Sequence, residues 1–155
     1  MNKKNNIICI RKNVSFNYDL KKEINVGIIL HGWEIKSLRK NKINIKYSYI
    51  SIVNREAYLI NSEFQPLMTS NINYIDIKRN RKLLLRKQEL YLLSNYIKQK
   101  GYTVIPLLIF WKQHLVKIKI GIVKGKKNFD KRMDIKHREW LITKSRNIKN
   151  LSKKY

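Results

Sequence analysis

The stretch KGYTVIPLLIFWKQHLVKIKIGIVKGKKNFDKR, Lys100 to Arg132, holds the longest strand-like pattern in the chain and the point at which that pattern stops. Tyr102 to Trp111 is rich in β-branched, aromatic and aliphatic residues, and from Leu115 to Val123 apolar and polar residues alternate. Val116, Ile118, Ile120 and Ile122 fall on one face, with Lys117, Lys119 and Gly121 on the other. A period of two with one apolar and one wet face reads as a half-buried hairpin. Lys112-Gln113-His114 is its polar connection, and Pro106, which cannot donate to a ladder, marks an edge or a bulge. Beyond Gly125 the alternation ends; no Gly or Pro follows, and Lys and Arg are dense through Tyr155. A packed sheet hands over to a basic arm there.

Upstream, Arg81 to Lys100 places Leu90, Leu93 and Ile97 on one stripe with Tyr96 beside it, and Gly101 where a helix C′ residue belongs. That predicts a helix over 81–100. Residues 69–80 are polar and lack periodicity, which predicts a loop. A second hairpin is expected from Ile43–Val53, turning at Asn54-Arg55-Glu56 into AYLINSEF and closed by Pro66. WEIKSLRKNK changes period, with Ile35 and Leu38 three apart, Glu34 in the first turn and Arg39 and Lys40 at the end, the charge order of a short helix. Before it, Val26 to Leu30 reads as a buried strand, KKEIN as a polar stretch, and VSFNYDL from Val14 as a first strand. Residues 1–13 form an arm or an edge strand around Ile7, Ile8 and Ile10.

These elements give a mainly β fold with short helices. About six strands in hairpins with two short helices leave too few helices for a doubly wound sheet, and the chain is too short for an immunoglobulin-sized sandwich. A six-stranded antiparallel barrel of the oligonucleotide-binding (OB-like) kind, plus a basic C-terminal tail, fits best. The expected divisions are an arm at 1–13, the barrel at 14–125 and the tail at 126–155.

Charge narrows the partner. Thirty-five Lys and Arg against ten Asp and Glu leave a formal charge of +25, and a small domain carrying that alone repels itself. Lys, Ile and Asn are all over-used, as an AT-rich genome would write them, but that bias would add acids too and does not explain the ratio. The partner expected is nucleic acid, with an anionic membrane surface as the rival. Cys9 is the only cysteine, which excludes a disulfide framework and a cysteine-based zinc site. The longest apolar run, Val104 to Trp111, is eight residues and contains a proline, well short of the ~20 needed to span a bilayer. The first residues carry too short an apolar run for a signal peptide, so a cytoplasmic chain is expected.

No catalytic constellation is visible. His31, His114 and His137 lie far apart, with no metal-type partner at i+3 or i+4. Asp130 and Asp134 are spaced i,i+4 and are the one pair that would suit a magnesium-dependent nuclease, but they sit among Lys126, Lys127, Lys131, Arg132 and Lys136, where charge pairing is the plainer reading. No phosphate-binding glycine loop or G-x-S-x-G turn occurs. Phe129 and Trp140, set within a basic segment, have the composition of a surface that stacks bases while neutralising phosphates. Such a tail is expected to be disordered alone and helical on an anionic partner. Glu34, flanked by Lys36 and Arg39, is expected to pair locally; the functional alternative is acceptance of a base amino group or a ribose 2′-hydroxyl.

Taken together, GIILHGWEIKSLR (27–39), RKLLLRKQEL (81–90), KGYTVIPL (100–107) and GKKNFDKR (125–132) resemble, in order and spacing, the four signature stretches of the bacterial SsrA-binding protein family, also called small protein B. The likeness covers roughly residues 14–142. It implies a barrel that does no chemistry and needs no cofactor or metal. It implies binding to the tRNA-like part of transfer-messenger RNA (tmRNA, the SsrA RNA) and delivery to ribosomes stalled on messages without a stop codon, the process called trans-translation. By the same resemblance, Glu34, Lys36, Ser37 and Arg39, with Arg81, Lys82, Leu85 and Lys87, belong to the RNA-binding face. Gly125, Lys126, Lys127, Asp130, Lys131, Arg132 and Trp140 belong to a tail that engages the ribosome at the small-subunit decoding centre and mRNA channel. A monomer is expected. Trp33 stands where the family has threonine, Arg86 where it has histidine, and of the N-terminal pattern only Arg11, Lys12, Asn13 and Tyr18 remain. The loop 69–80 lacks the family's His-Asp-Pro and keeps Asp76. The alternative reading on the same barrel is a general single-strand RNA binder or a ribosomal protein.

Overall fold

The structure is a computed structural model that describes residues 7–67 and 76–151. Its centre is the hairpin of two eleven-residue strands, β8 (Tyr102–Lys112) and β9 (Leu115–Gly125), joined by Gln113 and His114. Gln113 takes a positive φ of 56°, as a tight two-residue loop demands. Val104, Ile109, Ile118, Ile120 and Ile122 are all buried in the main core, so the alternation read from the sequence is the packing. The ladder shifts register between Pro106 and Leu108, the bulge the proline called for. The other expectation for Pro106, an edge, is not met: β1 (Ile7–Ile10) pairs along the far side of β8 and is itself the edge.

The remaining strands are β2 (Tyr18–Ile28), β3 (Ile43–Asn44), β4 (Tyr49–Val53), β5 (Glu56–Ile60), β6 (Glu63–Phe64) and β7 (Arg81–Leu84). Seven of the strands form an antiparallel sheet in the order β1-β8-β9-β2-β7-β5-β4, and β3 with β6 makes a separate pair. The sheet curls until β4 lies against β8 without a ladder between them, giving a partly open, OB-like barrel. Nine strands among the described residues exceed the six expected, in part because one anticipated hairpin is broken in two. Asn54 and Arg55, both at positive φ, make the tight turn between β4 and β5. At the other end, Asn44 Oδ1 accepts from the Lys46 N–H at 3.0 Å and Ser48 Oγ donates to the Ile45 carbonyl at 2.7 Å, which bends the strand between β3 and β4.

Three other expectations are corrected. Val14 to Asn17 is not a strand but a single helical turn, α1, entered through Asn13 at φ 60°. Val14 packs there with Tyr18 on a second small core of Ile105, Leu107 and Val123, on the outer face of the hairpin. Gly121 makes room for it: a Cβ there would lie 2.8 Å from Leu20 Cδ1 and 3.0 Å from Leu107 Cδ1. Second, the polar stretch KKEIN does not divide two strands but lies inside one. β2 runs unbroken through it because β9 pairs with it there, Lys22 to Asn25 opposite Ile122 to Lys119, and β7 joins on the other side only at Gly27 and Ile28; Ile29, expected in a buried strand, lies beyond its end and is exposed. Third, Arg81 to Leu84 is strand β7, not the first turn of a helix, held between β2 and β5 with Arg81 and Leu83 inward.

Two helices border the barrel. In α2 (Gly32–Arg39), as expected from the sequence, Leu38 is buried and the outward positions carry Lys36 and Arg39. In α3 (Lys87–Lys98), Leu93 is the buried anchor while Ile97 lies at the margin. Each starts with a glutamate at its third position accepting from the N-cap backbone: Glu34 from the His31 N–H at 2.6 Å and Glu89 from the Arg86 N–H at 2.8 Å. Gly101 has φ 89° but lies one residue beyond the expected C′ position, in a turn closed by the Tyr102 N–H on the Gln99 carbonyl at 3.2 Å. The tail forms α4 (Asn128–Leu151), 24 residues, or about 36 Å of helix. Most of the expected loop 69–80 lies outside the described residues. Among the described residues, no helix is long and apolar enough to cross a membrane.

Candidate nucleic-acid interface

The first two signature stretches meet at a buried ionic knot. Glu34 and Arg81 are both 0% exposed. Glu34 Oε1 accepts from Arg81 Nε at 2.8 Å and from Arg79 Nε at 2.9 Å; Oε2 accepts from Arg79 Nη2 at 2.5 Å and from the His31 N–H. Arg81 donates further to the Ser62 carbonyl and hydroxyl and to the carbonyls of Arg79 and Ile77, with its guanidinium stacked 3.8 Å from the Phe64 ring centre. Burial alone would raise the Glu34 carboxyl; the Arg79 hydrogen bond, the His31 N–H and the nearby positive charges outweigh it and hold the group below its ordinary value. Burial pulls Arg81 down from its ordinary value, against the pull of Glu34. Ser37, also buried, donates to the Gln65 carbonyl at 2.6 Å.

The local pairing expected of Glu34 is therefore corrected. Lys36 and Arg39, two and five positions on, point away on a helix, and the partners come from across the fold. Both its oxygens are engaged inside the protein, which leaves no acceptor for a base or a ribose hydroxyl. Of the eight residues expected on the RNA face, Glu34, Ser37 and Arg81 build the platform from within. Lys36, Arg39 and Lys87 are exposed and free to meet a phosphate backbone. Lys82 is half-exposed and paired with Glu56, which also accepts from the Tyr58 hydroxyl at 2.7 Å. Leu85 packs partly against the main core.

Outside the knot, the ladder between β2 and β7 ends at the Gly27–Leu84 pair and a trough opens. One recess of about 700 Å³ lies between β2, Lys117 of β9 and the start of α3, lined by Lys22, Arg86 and Gln88 among others. A second, about 320 Å³, shares Gly27, Leu84 and Lys117 and continues to Arg39, Trp111 and His114. The two acids lining the trough are already occupied, Glu23 by Lys119 at 2.9 Å and Glu89 by its helix cap. What faces outward is positive charge with an aromatic edge, the combination that neutralises phosphates while stacking bases. Arg79, Leu84, Arg86 and Lys117 are not among the eight residues expected on the RNA face from the sequence. Arg79 lies within the polar, aperiodic stretch 69–80, and the others become neighbours only through strand pairing.

The third and fourth signature stretches meet at the opposite end of β9. Gly125 donates its N–H to the Gly101 carbonyl at 3.4 Å and Lys126 to the Asn17 carbonyl at 3.0 Å, which fixes where the tail leaves the barrel. Lys126 Nζ pairs with Asp134 at 2.6 Å, and Asp130 accepts from the Lys127 N–H at 3.1 Å. The two aspartates are thus engaged by the surrounding lysines, and among the described residues no three His, Cys, Asp or Glu gather as metal ligands. Lys127, Asp130 and Arg132 are exposed and Lys131 half-buried; Trp140 is exposed, with Lys144 Nζ 4.9 Å over its ring.

A solved structure described as "tmRNA-SmpB: a journey to the center of the bacterial ribosome" superposes with a TM-score of 0.65 at 33% identity, covering 77% of this chain and 85% of that one. The family model described as SmpB protein matches residues 8–150, so both the trough and the tail root lie within it, and the chain belongs to the SmpB family.

Proposed function

We infer that this chain is an RNA-binding adaptor that holds the tRNA-like domain of tmRNA and delivers it to stalled ribosomes for trans-translation. The observation that carries the reading is the joining of the stretches 27–39 and 81–90, through the Glu34–Arg81 pair and the Gly27–Leu84 ladder, into one preorganised basic trough inside an SmpB-family fold. Lys36, Arg39, Arg86, Lys87 and Lys117 meet the RNA backbone, while Glu34, Ser37 and Arg81 hold the surface that presents them. The barrel spans 14–125 and the tail 126–155. The tail, with Gly125, Lys126, Lys127, Asp130, Lys131, Arg132 and Trp140 at its root and along its length, engages the ribosome in the mRNA channel beside the decoding centre. The adaptor performs no chemistry and works in the cytoplasm as a monomer.

Filter or fluorescence titration against a tRNA-like RNA and an unstructured oligonucleotide of equal length, at equal salt, tests this. The tRNA-like RNA binds far more tightly if the reading holds; equal affinities refute it in favour of a general single-strand binder. Labelled RNA incubated with the protein and Mg²⁺ stays intact, and cleavage would point instead to a nuclease.

A further inference from the structure

The tail keeps its acids at its start. Of the three acids in α4, Asp130 and Asp134 lie within its first seven residues, and from Ile135 to Leu151 five Lys or Arg face Glu139 alone. Among the tail side chains described, only Lys131 and Asp134 are half-buried and every other is exposed, so the helix leans on the barrel along one short line in its first two turns. Asp134 meets Lys126 at 2.6 Å, with 43% of its own side chain exposed and 23% of the lysine's. The lysine is itself tied to the barrel: its N–H is donated to the Asn17 carbonyl at 3.0 Å, and α1, which ends at Asn17, lies against α4. Asp130, third in the helix, accepts from the Lys127 N–H at 3.1 Å, and the Lys131 N–H closes a helical bond on the Lys127 carbonyl at 3.2 Å.

We propose that Asp134 is a positioning residue of the tail: through Lys126 it fastens the first two turns of α4 to the barrel, supplying a ready helix nucleus and fixing the direction in which the rest of the helix is wound along an anionic groove. A first turn fixes three residues for one hydrogen bond and is the costly step of helix formation, while each later residue adds a bond. Here that step is taken on the barrel, by the Asp130 cap, the Lys126–Asn17 hydrogen bond and an ion pair that reaches from before the helix into its second turn. Beyond Asp134 the excess of like charge opposes winding until phosphates neutralise it. The helix therefore grows outward from a held end. A half-exposed ion pair adds little to global stability. Its effect is on direction, since a swing of about 20° at the root carries the far end of a 24-residue helix through about 12 Å. The use made of that direction rests on the reading of the tail as the part that enters the ribosome, whereas the pair itself is testable without one.

Hydrogen exchange, read by mass spectrometry on the free full-length chain, makes the test. In the wild type, amides 131–135 are expected to exchange at least about tenfold more slowly than those of 143–151. Asp134→Lys lowers that protection at least about fivefold, and Asp134→Asn lowers it less. Lys126→Glu also lowers it, although a negative charge placed before a helix N-terminus would by itself favour the helix. Lys126→Glu combined with Asp134→Lys restores the pair in reverse and returns protection to within about twofold of the wild type. Amides 131–135 exchanging as fast as 143–151 in the wild type, a rise in protection with Lys126→Glu, or a combined variant no better than Asp134→Lys alone overturns the proposal. Because no RNA or ribosome is present, a failure of the adaptor reading leaves these outcomes unchanged.

Discussion

The knot around Glu34 and the tail helix use the same residue types to opposite ends. In the knot, Glu34 and Arg81 are wholly buried and Arg79 mostly so, and every buried donor and acceptor has a protein partner. Burial permits nothing less, since an unpaired charge in a low-dielectric interior costs several kcal/mol. In α4, seven Lys or Arg face three acids, and Phe129, Met133, Trp140, Leu141 and Ile148 stand in solvent. Hydrogen bonds at its root tie it to the barrel. Among the described residues, ion pairs engage six of the ten acids and only seven cations, so the charge excess remains unpaired. Buried charge here shapes a surface; exposed charge awaits a partner.

The sharpest way to break that contrast is Arg81→Met, which takes from buried Glu34 one of its two arginines and leaves the Ser62 and Ile77 carbonyls without their donor. A destabilisation of about 3–5 kcal/mol is expected by urea denaturation, because one partner of a buried pair is removed; an effect like that of a surface lysine would deny the knot its role. Acid titration comes next. The Glu34 carboxyl is held below its unfolded value, so its contribution is complete above about pH 4.3 and is lost as pH falls through the folded value. Glu34→Gln is expected to be less stable at neutral pH and to show a flatter acid limb than the wild type. On the outside, Lys36→Ala with Arg39→Ala leaves the denaturation midpoint unchanged and weakens tRNA-like RNA binding. The slope of log affinity against log salt should fall by about 0.7 to 0.9 for each phosphate that is no longer neutralised. The smallest effect on folding is expected from truncation after Asp130. Thermal melting and RNA affinity stay close to wild type while ribosome-dependent activity disappears, and a missing melting transition would move the boundary of the barrel.

Where one local rule dominates, the sequence suffices. The β8–β9 hairpin is legible from alternation alone, α2 from its period and charge order, and the bulge from Pro106. Where non-local pairing dominates, it does not. Arg81 to Leu84 carries leucines at helical as well as strand spacing, and only two flanking strands make it β7. VSFN has strand alternation, yet it turns because a small second core on the back of the hairpin takes Val14. For the interface, the outward cations of α2 could be picked from the sequence. The buried role of Glu34 could not, since Arg79 and Arg81 lie 45 and 47 residues away.

β9 links the two ends of the molecule. Lys117 lies in the trough and Gly125 at the tail root, eight residues apart on one strand, about 26 Å at 3.3 Å per residue. Turns elsewhere tolerate insertions, but this segment behaves as a ruler. Adding or removing a single residue would change its reach by about 3.3 Å and throw every later isoleucine onto the wet face. The spacing between the trough and the point where the tail departs is therefore a fixed length written into one hydrogen-bonded ladder, and length variation is tolerated only where it does not alter that measure.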